Sequence, residues 1–329
     1  MRPEQTNTRP TFAGFRLAPM RALAALAPLG AAQDESASDG AAAIENQRPP
    51  SFTLTLGASA SYRFESGFDS GMSDVSVGRI GATAEGAFLV GDASRLALNF
   101  TTEHSFYDFS PMGILVPGGV DPFDTIHEYG VGVLFTTRIN DRWSAAFGGG
   151  VKSAGESSAS FEDTLTFNGL LGATYRVNDS LSIGGAIIIS SRLEDDVTVI
   201  PVPTITWDID ERWRLESRRS GLRLESNRAG LSLSYKTSET MRVGIEAGFE
   251  LREFRLDDTG PLPMGVVRES RIPVGAWAEW KPTPNVTLVG TVGADVYVEF
   301  ESLTGAGVKF ADDETDPAVY AGISASFSF

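Results

Sequence analysis

The sequence predicts an all-β chain folded as one antiparallel up-and-down transmembrane barrel of about 14 strands. Three observations carry that expectation. Long stretches alternate apolar and polar residues with a period of two, the connections between them alternate in length, and aromatic residues gather beside the short connections. The composition agrees: 329 residues, 42% hydrophobic, with 35 glycines. No apolar run approaches the ~18 residues of a membrane-crossing helix. With no cysteine in the chain, disulfide scaffolds, zinc ribbons, thiol catalysis and iron–sulfur clusters are excluded. The net charge of −16 comes with no basic stripe, which excludes nucleic-acid binding.

Residues 1–32 read as a secretory signal peptide. Arg2, Arg9, Arg16 and Arg21 stand against one acid, Glu4, and an apolar run from Ala22 to Leu29 follows. Gly30-Ala31-Ala32 then offers small residues for a cut before Gln33. Residues 33–50 are polar and Ala/Ser-rich, end in Pro49-Pro50, and read as a flexible linker. The barrel domain is expected over 51–329.

Within it the strands announce themselves in turn. Phe52, Leu54, Leu56, Ala58, Ala60, Tyr62 and Phe64 alternate with polar or small residues. The same pattern runs through Leu96–Phe100, Tyr129–Phe135, Trp143–Val151 and Leu165–Tyr175. It returns in Met241–Leu251, Val286–Phe300 and Val319–Phe329. Tight polar turns are expected near residues 92, 140, 179, 210, 238 and 283, pairing twelve strands. One further strand at each end makes fourteen, an even number that leaves both ends of the barrel on the short-turn side. The region Arg212–Ala229 is the weakest, because Arg214, Arg218, Arg219, Arg223 and Arg228 interrupt its alternation, and without a strand at Trp213–Glu216 the count falls to twelve.

The other connections, Tyr107–Asp124, Leu256–Glu269 and Glu301–Pro317, are long and acidic. Trp143, Tyr175, Trp207, Trp213, Tyr235 and Trp280 flank the short turns and are expected at the level of lipid headgroups. A soluble sandwich would share the alternation. It would not explain the lopsided loops or the one-sided aromatics.

The segments Asn140-Asp141-Arg142-Trp143-Ser144, Leu256-Asp257-Asp258, Arg271-Ile272-Pro273-Val274-Gly275 and Pro282-Thr283-Pro284-Asn285 resemble an outer-membrane β-barrel family that is itself classed as a domain of unknown function. The resemblance covers about residues 51–329 and implies fold and location, with no catalytic residues to transfer. The terminal Phe327-Ser328-Phe329 resembles the signal by which the outer-membrane assembly machinery recognises its clients.

By parity, the inward face carries charge. Arg63, Arg79, Arg138, Arg176, Arg242, Arg252 and Arg271 are expected in the lumen with Glu85, Glu103, Glu128, Asp208, Glu246, Glu250, Glu279, Asp295 and Glu299. That lining suits a water-filled passage for small polar solutes, or a salt-bridge network that fills a closed lumen. The two histidines, His104 and His127, fall on the outward face near the long-loop rim. A hydrolase would need a serine on that face within reach, and neither Ser105 nor the i+2 neighbours Phe106 and Tyr129 supplies one. Neither a metal site nor a cofactor is expected. The excess acids, at Glu194-Asp195-Asp196, Asp257-Asp258 and Asp312-Asp313-Glu314, read as solvated loop residues. The function so drawn is an integral outer-membrane barrel in contact with lipid, acting as a passive pore. A structural or surface-contact barrel with a closed lumen is the alternative, and an outer-membrane lipid-modifying enzyme is the weaker one.

Overall fold

The computed structural model describes residues 52–71, 73–110, 115–217 and 227–329, so the expected signal peptide and linker lie outside the described residues. Fifteen strands follow one another along the chain. They are β1 (Phe52–Gly67), β2 (Asp74–Val90), β3 (Ser94–Ser110), β4 (Thr125–Arg138) and β5 (Trp143–Glu156). After a 3₁₀ turn at Phe161–Thr164 come β6 (Leu165–Arg176), β7 (Leu181–Arg192), β8 (Asp195–Asp208), β9 (Trp213–Ser217) and β10 (Asn227–Ser238). The last are β11 (Met241–Arg255), β12 (Val266–Thr283), β13 (Val286–Leu303), β14 (Lys309–Thr315) and β15 (Ala318–Ser328).

Each strand from β1 to β13 pairs antiparallel with the next, and β15 pairs with both β13 and β1, which closes the sheet. Strands β14 and β15 occupy one slot beside β13. The upper one pairs with Val298–Leu303 and the lower with Val286–Asp295. Between them stand Asp316 and Pro317, and a proline has no N–H to give a ladder. The barrel therefore has fourteen staves. The stretch Glu301–Pro317, expected as one long loop, is a tight turn at Thr304–Val308 followed by β14, and Asp312, Asp313 and Glu314 lie on that strand. Gly307 holds φ +75° in the turn, where its missing Cβ avoids a clash with the Glu194 carbonyl oxygen.

The six short turns occur where the sequence places them. Three share one device: an Asx side chain accepts the N–H groups two and three residues on, closing the turn before the next strand. Asn140 Oδ1 accepts from Arg142 and Trp143 at 2.9 Å each. Asn178 Oδ1 accepts from Ser180 at 2.9 Å and Leu181 at 2.8 Å. Asp210 Oδ1 accepts from Arg212 at 2.8 Å and Trp213 at 2.7 Å, and these donors hold its carboxyl below the ordinary range. Beside two of these turns the arginine donates to a tyrosine on the next hairpin, Arg142 to Tyr175 and Arg212 to Tyr235. Each tyrosine ring lies 5.0 Å from a tryptophan, Trp143 or Trp213.

The outer surface is apolar and uncovered. Leu171 is 64% exposed, Ile245 61% and Ile323 65%, all at mid-strand. A soluble protein rarely leaves so continuous a band in water, whereas lipid is its natural solvent. The first and last staves meet partly along small side chains, Gly57 opposite Ser326, Ala58 opposite Ala325, Ser59 opposite Ser324 and Ser61 opposite Gly322, with larger pairs among them, Leu56 opposite Phe327, Ala60 opposite Ile323 and Arg63 opposite Tyr320.

At the long-loop end the barrel is pinched. Arg255 of β11 pairs with Gly155 of β5 across the lumen. The tip of the β7–β8 hairpin leans over to β11 and β12: Glu253 accepts from the Leu193 N–H at 2.9 Å, Arg255 meets Glu194 at 2.7 Å, and Arg268 meets Asp195 at 2.9 Å. The connection expected to be an acidic loop here is thus a two-residue turn that crosses over β9 and β10, and Asp195 and Asp196 begin β8.

Candidate functional site

The site is the lumen, and it changes character with height. At the long-loop end it is a core. Phe68, Tyr107, Phe109, Phe123, Phe254 and Phe300 pack with Val75, Val77 and Val298, and the loop residues Leu115 and Val116 dip in to join them. The rings stack edge to face, Tyr107 on Phe123 at 4.8 Å and Phe123 on Phe254 at 5.0 Å between centroids.

Below this core lies a ring of ion pairs. Its centre is Glu269, fully buried on β12, which accepts from Arg63 at 3.0 Å, from Arg79 at 2.8 and 2.9 Å, and from the Tyr107 hydroxyl at 2.8 Å. Arg252 reaches from β11 to the opposite wall, where it bonds Glu103 at 2.5 Å, Ser105 at 3.0 Å and Glu128. Lys152 bonds Glu128 at 2.7 Å, and Arg271 bridges Glu250 at 2.7 Å and Asp295 at 3.1 Å. Arg63, Arg79, Lys152, Arg252 and Arg271 thus face Glu103, Glu128, Glu250, Glu269 and Asp295, five cations against five carboxylates. A ring balanced within itself favours neither sign of solute.

Towards the short turns the wall is small and half-buried: Thr53, Thr55, Gly57 and Ser59 on β1, and Gly148 and Gly150 on β5. Arg242 stands opposite Glu279 on the ladder, Glu246 opposite Gly275, and Glu85 binds Arg95 at 2.8 Å. Two rings project into this space, Trp277, whose indole N–H donates to Ser232 at 3.1 Å, and Tyr320, whose hydroxyl lies over Gly275 and Gly293. Those glycines make room for it.

One expected lining residue lies elsewhere. The β12–β13 ladder slips between Arg271/Pro273 and their partners Val298/Asp295, so parity inverts above the bulge. Val298 and Phe300 turn inward to the core, and Glu299 turns outward, where it accepts from Tyr297 at 2.8 Å. Three residues of the ring, Glu269, Tyr107 and Lys152, were not picked out as lining from sequence, and Ser105 was considered there only as a partner for the histidines. Glu269 stood inside what read as a loop.

The outward histidines meet. Their Nδ1 atoms are 2.5 Å apart, and His127 Nε2 lies 2.7 Å from Ser157 Oγ. A serine does reach the imidazole, contrary to the sequence expectation, because it comes from the exposed turn after β5 rather than from either histidine's own strand. A hydrolase would need oxyanion donors around that hydroxyl as well. A fluorophosphonate probe is expected to leave Ser157 unmodified in the refolded barrel, and mass-spectrometric detection of the adduct would return the enzyme reading. Among the described residues no group of three or more metal-ligating side chains is placed to hold an ion.

Fold and lumen together define a closed, porin-like β-barrel of the outer-membrane type, with an apolar belt outside and a charged, partly filled interior. The chain belongs to the domain family of unknown function DUF6268, which matches residues 122–323. No curated protein matches it. Solved structures similar to it include an outer-membrane channel from Pseudomonas putida F1, at 10% identity over 86% of this chain and 97% of that one, with a TM-score of 0.48. A variant of the monoaromatic hydrocarbon channel TodX is 12% identical over 86% and 91%, with a TM-score of 0.41. The NanC porin is 9% identical over 83% and 98%, with a TM-score of 0.35.

Proposed function

We propose that the protein is an integral outer-membrane channel through which solutes pass passively. The short turns then face the periplasm and the long-loop end faces outward. The observation that carries this is the lower lumen, where the wall at Thr53, Thr55, Gly57, Ser59, Gly148 and Gly150 stays half-buried, beside a separate buried apolar patch of Leu134, Ala146, Leu170, Ala186, Ile200 and Val202. The leader of residues 1–32, cut before Gln33, supplies export, and residues 33–50 tether the barrel. Phe327 and Phe329 serve recognition by the assembly machinery. Trp143, Tyr175, Trp207, Trp213, Tyr235 and Trp280 anchor the inner rim in headgroups, as their outward positions beside the turns allow.

One observation favours the second reading, a barrel that works by its surface. The apolar core and the ion ring fill the long-loop half of the lumen. Planar-bilayer recording of the purified, refolded protein separates the two. Discrete conductance steps are expected of the channel, and a silent bilayer containing folded protein would leave the surface reading.

A further inference from the structure

We infer that the short-turn rim carries two equivalent binding sites for the phosphate of a membrane phospholipid. One is built from Arg142, Trp143 and Tyr175, the other from Arg212, Trp213 and Tyr235. The inference goes beyond the channel reading and holds whether or not the lumen conducts.

The two sites repeat one construction. Trp143 stands opposite Tyr175 across the β5–β6 ladder, and Trp213 stands opposite Tyr235 across the β9–β10 ladder. In each pair the ring centroids lie 5.0 Å apart, with the planes tilted by 52° and 56°. The arginine before each tryptophan donates to the tyrosine hydroxyl, at 3.0 Å from Arg142 and 2.8 Å from Arg212. The Asx turn at Asn140 or Asp210 fixes the backbone from which that arginine starts.

The other short turns serve as an internal control. Residues 93, 142, 180, 212, 240 and 285 hold one structural place, because the carbonyl of each accepts an N–H from the strand across the seam. The donors are Arg138, Arg176, Asp208, Lys236, Lys281 and Ser328 in turn. The residue just before each donor stands across the seam: Thr137, Tyr175, Trp207, Tyr235, Trp280 and Phe327. Two of the six are tyrosines, and those two seams carry the arginines. Opposite the tryptophans the same place holds Ser180 and Thr240. An indole N–H only donates, so it cannot accept from a guanidinium, whereas a phenol can. Arginine occurs where the opposite ring can hold it. The acids one residue earlier, Asp141, Asp179, Glu211 and Glu239, accompany tyrosine and tryptophan seams alike and do not account for the difference.

What this pairing holds ready suits a phosphate. A guanidinium presents five donors in a rigid fork, and giving one to the tyrosine fixes the plane of the others. A hydroxyl that accepts still has its own proton to give. A phosphodiester at this corner receives charge-assisted bonds from the arginine and a further bond from the tyrosine. The rest of a lipid fits the same place. Trp143 is 45% exposed and Trp213 40%, both on the outward face, at the level where indoles meet glycerol and the upper acyl chain. Above the first site the exposed Phe147 and Leu171 stand opposite each other and continue the apolar path for the chains. The two seams lie four strands apart, about 20 Å at ~4.8 Å per strand, so two lipids bind side by side.

Native mass spectrometry of the purified, refolded barrel, with dioleoyl-phosphatidylglycerol titrated into the detergent, counts the sites. Two saturable adducts of similar affinity are expected. Arg142→Gln should leave one, and Arg142→Gln/Arg212→Gln should leave none; undiminished binding to the double variant overturns the proposal. The gel shift between folded and unfolded barrel shows that a lost adduct is not a lost fold. Tyr175→Phe keeps the arginine and should weaken one adduct several-fold, and binding as tight as that of the unaltered protein would remove the tyrosine from the site. Ser180→Arg places a new guanidinium beside Trp207 and should add no third adduct. A third of equal affinity would mean that charge alone suffices and no site is built. Inorganic phosphate in large excess should leave both adducts in place. Their displacement would make free phosphate the ligand and overturn the lipid assignment.

Discussion

Glu269→Leu is expected to be the most damaging single change inside the barrel, lowering stability by about 3–5 kcal/mol, the usual consequence of removing one partner from a buried ion pair. The carboxylate is shared by Arg63 and Arg79, both nearly inaccessible, and by the Tyr107 hydroxyl. Without it Arg63 keeps the face of Phe300, 5.5 Å away, and the more distant carboxylate of Asp295 as electrostatic compensation. Two guanidinium groups would then sit in the interior with no carboxylate in direct contact, and the core above them would loosen. Urea unfolding in detergent micelles, followed by the gel shift between folded and unfolded barrel, measures the change. Adding Arg63→Met should return part of the lost stability, because one stranded charge goes with it. An unchanged urea midpoint for Glu269→Leu would show that water reaches this ring.

The second large effect separates the two faces of one strand. Ile245 lies at the middle of β11, opposite Leu233 and Ala276, and points outward. An arginine there meets hydrocarbon and should cost about 2–4 kcal/mol. Its neighbour Glu246 lies opposite Ser232 and Gly275 on the inner side, where Glu246→Arg should assemble and change only the charge of the lumen. The strand alternates so strictly that a slip of one residue would carry a glutamate into lipid, which fixes its register. Yields of folded barrel after refolding into vesicles compare the variants. Equal yields would contradict the orientation of β11. If ions pass, Glu246→Arg should also move reversal potentials towards anion preference.

The outline of the barrel was legible because its causes are local. Alternation is a property of each strand alone, and the Asx turns at Asn140, Asn178 and Asp210 need only four adjacent residues. Even the short β9 was countable from its flanking turn. Parity served as far as the ladder stayed regular. It failed above the bulge at Val296-Tyr297, where Glu299 leaves the lumen and Phe300 enters it. A bulge has no dependable signature in one strand, because it is a mismatch between two. Glu269 was hidden for a related reason. It lies in Arg268-Glu269-Ser270-Arg271, a polar stretch without alternation, since both faces of β12 are charged there: Arg268 binds Glu253 at 2.7 Å outside while Glu269 binds Arg79 inside. Ser157 reaches His127 from another hairpin, a juxtaposition that depends on the tertiary path of the chain.

The light side chains along the junction of β1 and β15 bear on how the barrel is completed. The two strands are brought together from far apart in the chain, as the bond between the Thr55 and Ser328 hydroxyls, 273 residues apart, illustrates. Contacts of such long range form late, because the intervening chain must be ordered first. Glycine, alanine and serine have few rotamers to freeze, and they add little cross-strand contact of their own. Over those rungs the last step of closure is a zipper of main-chain bonds with little side-chain search, and Leu56–Phe327, Ala60–Ile323 and Arg63–Tyr320 supply the larger contacts. The same junction would be the line along which a nascent barrel can stay open, hold its edges to another sheet, and let go by breaking few large side-chain contacts.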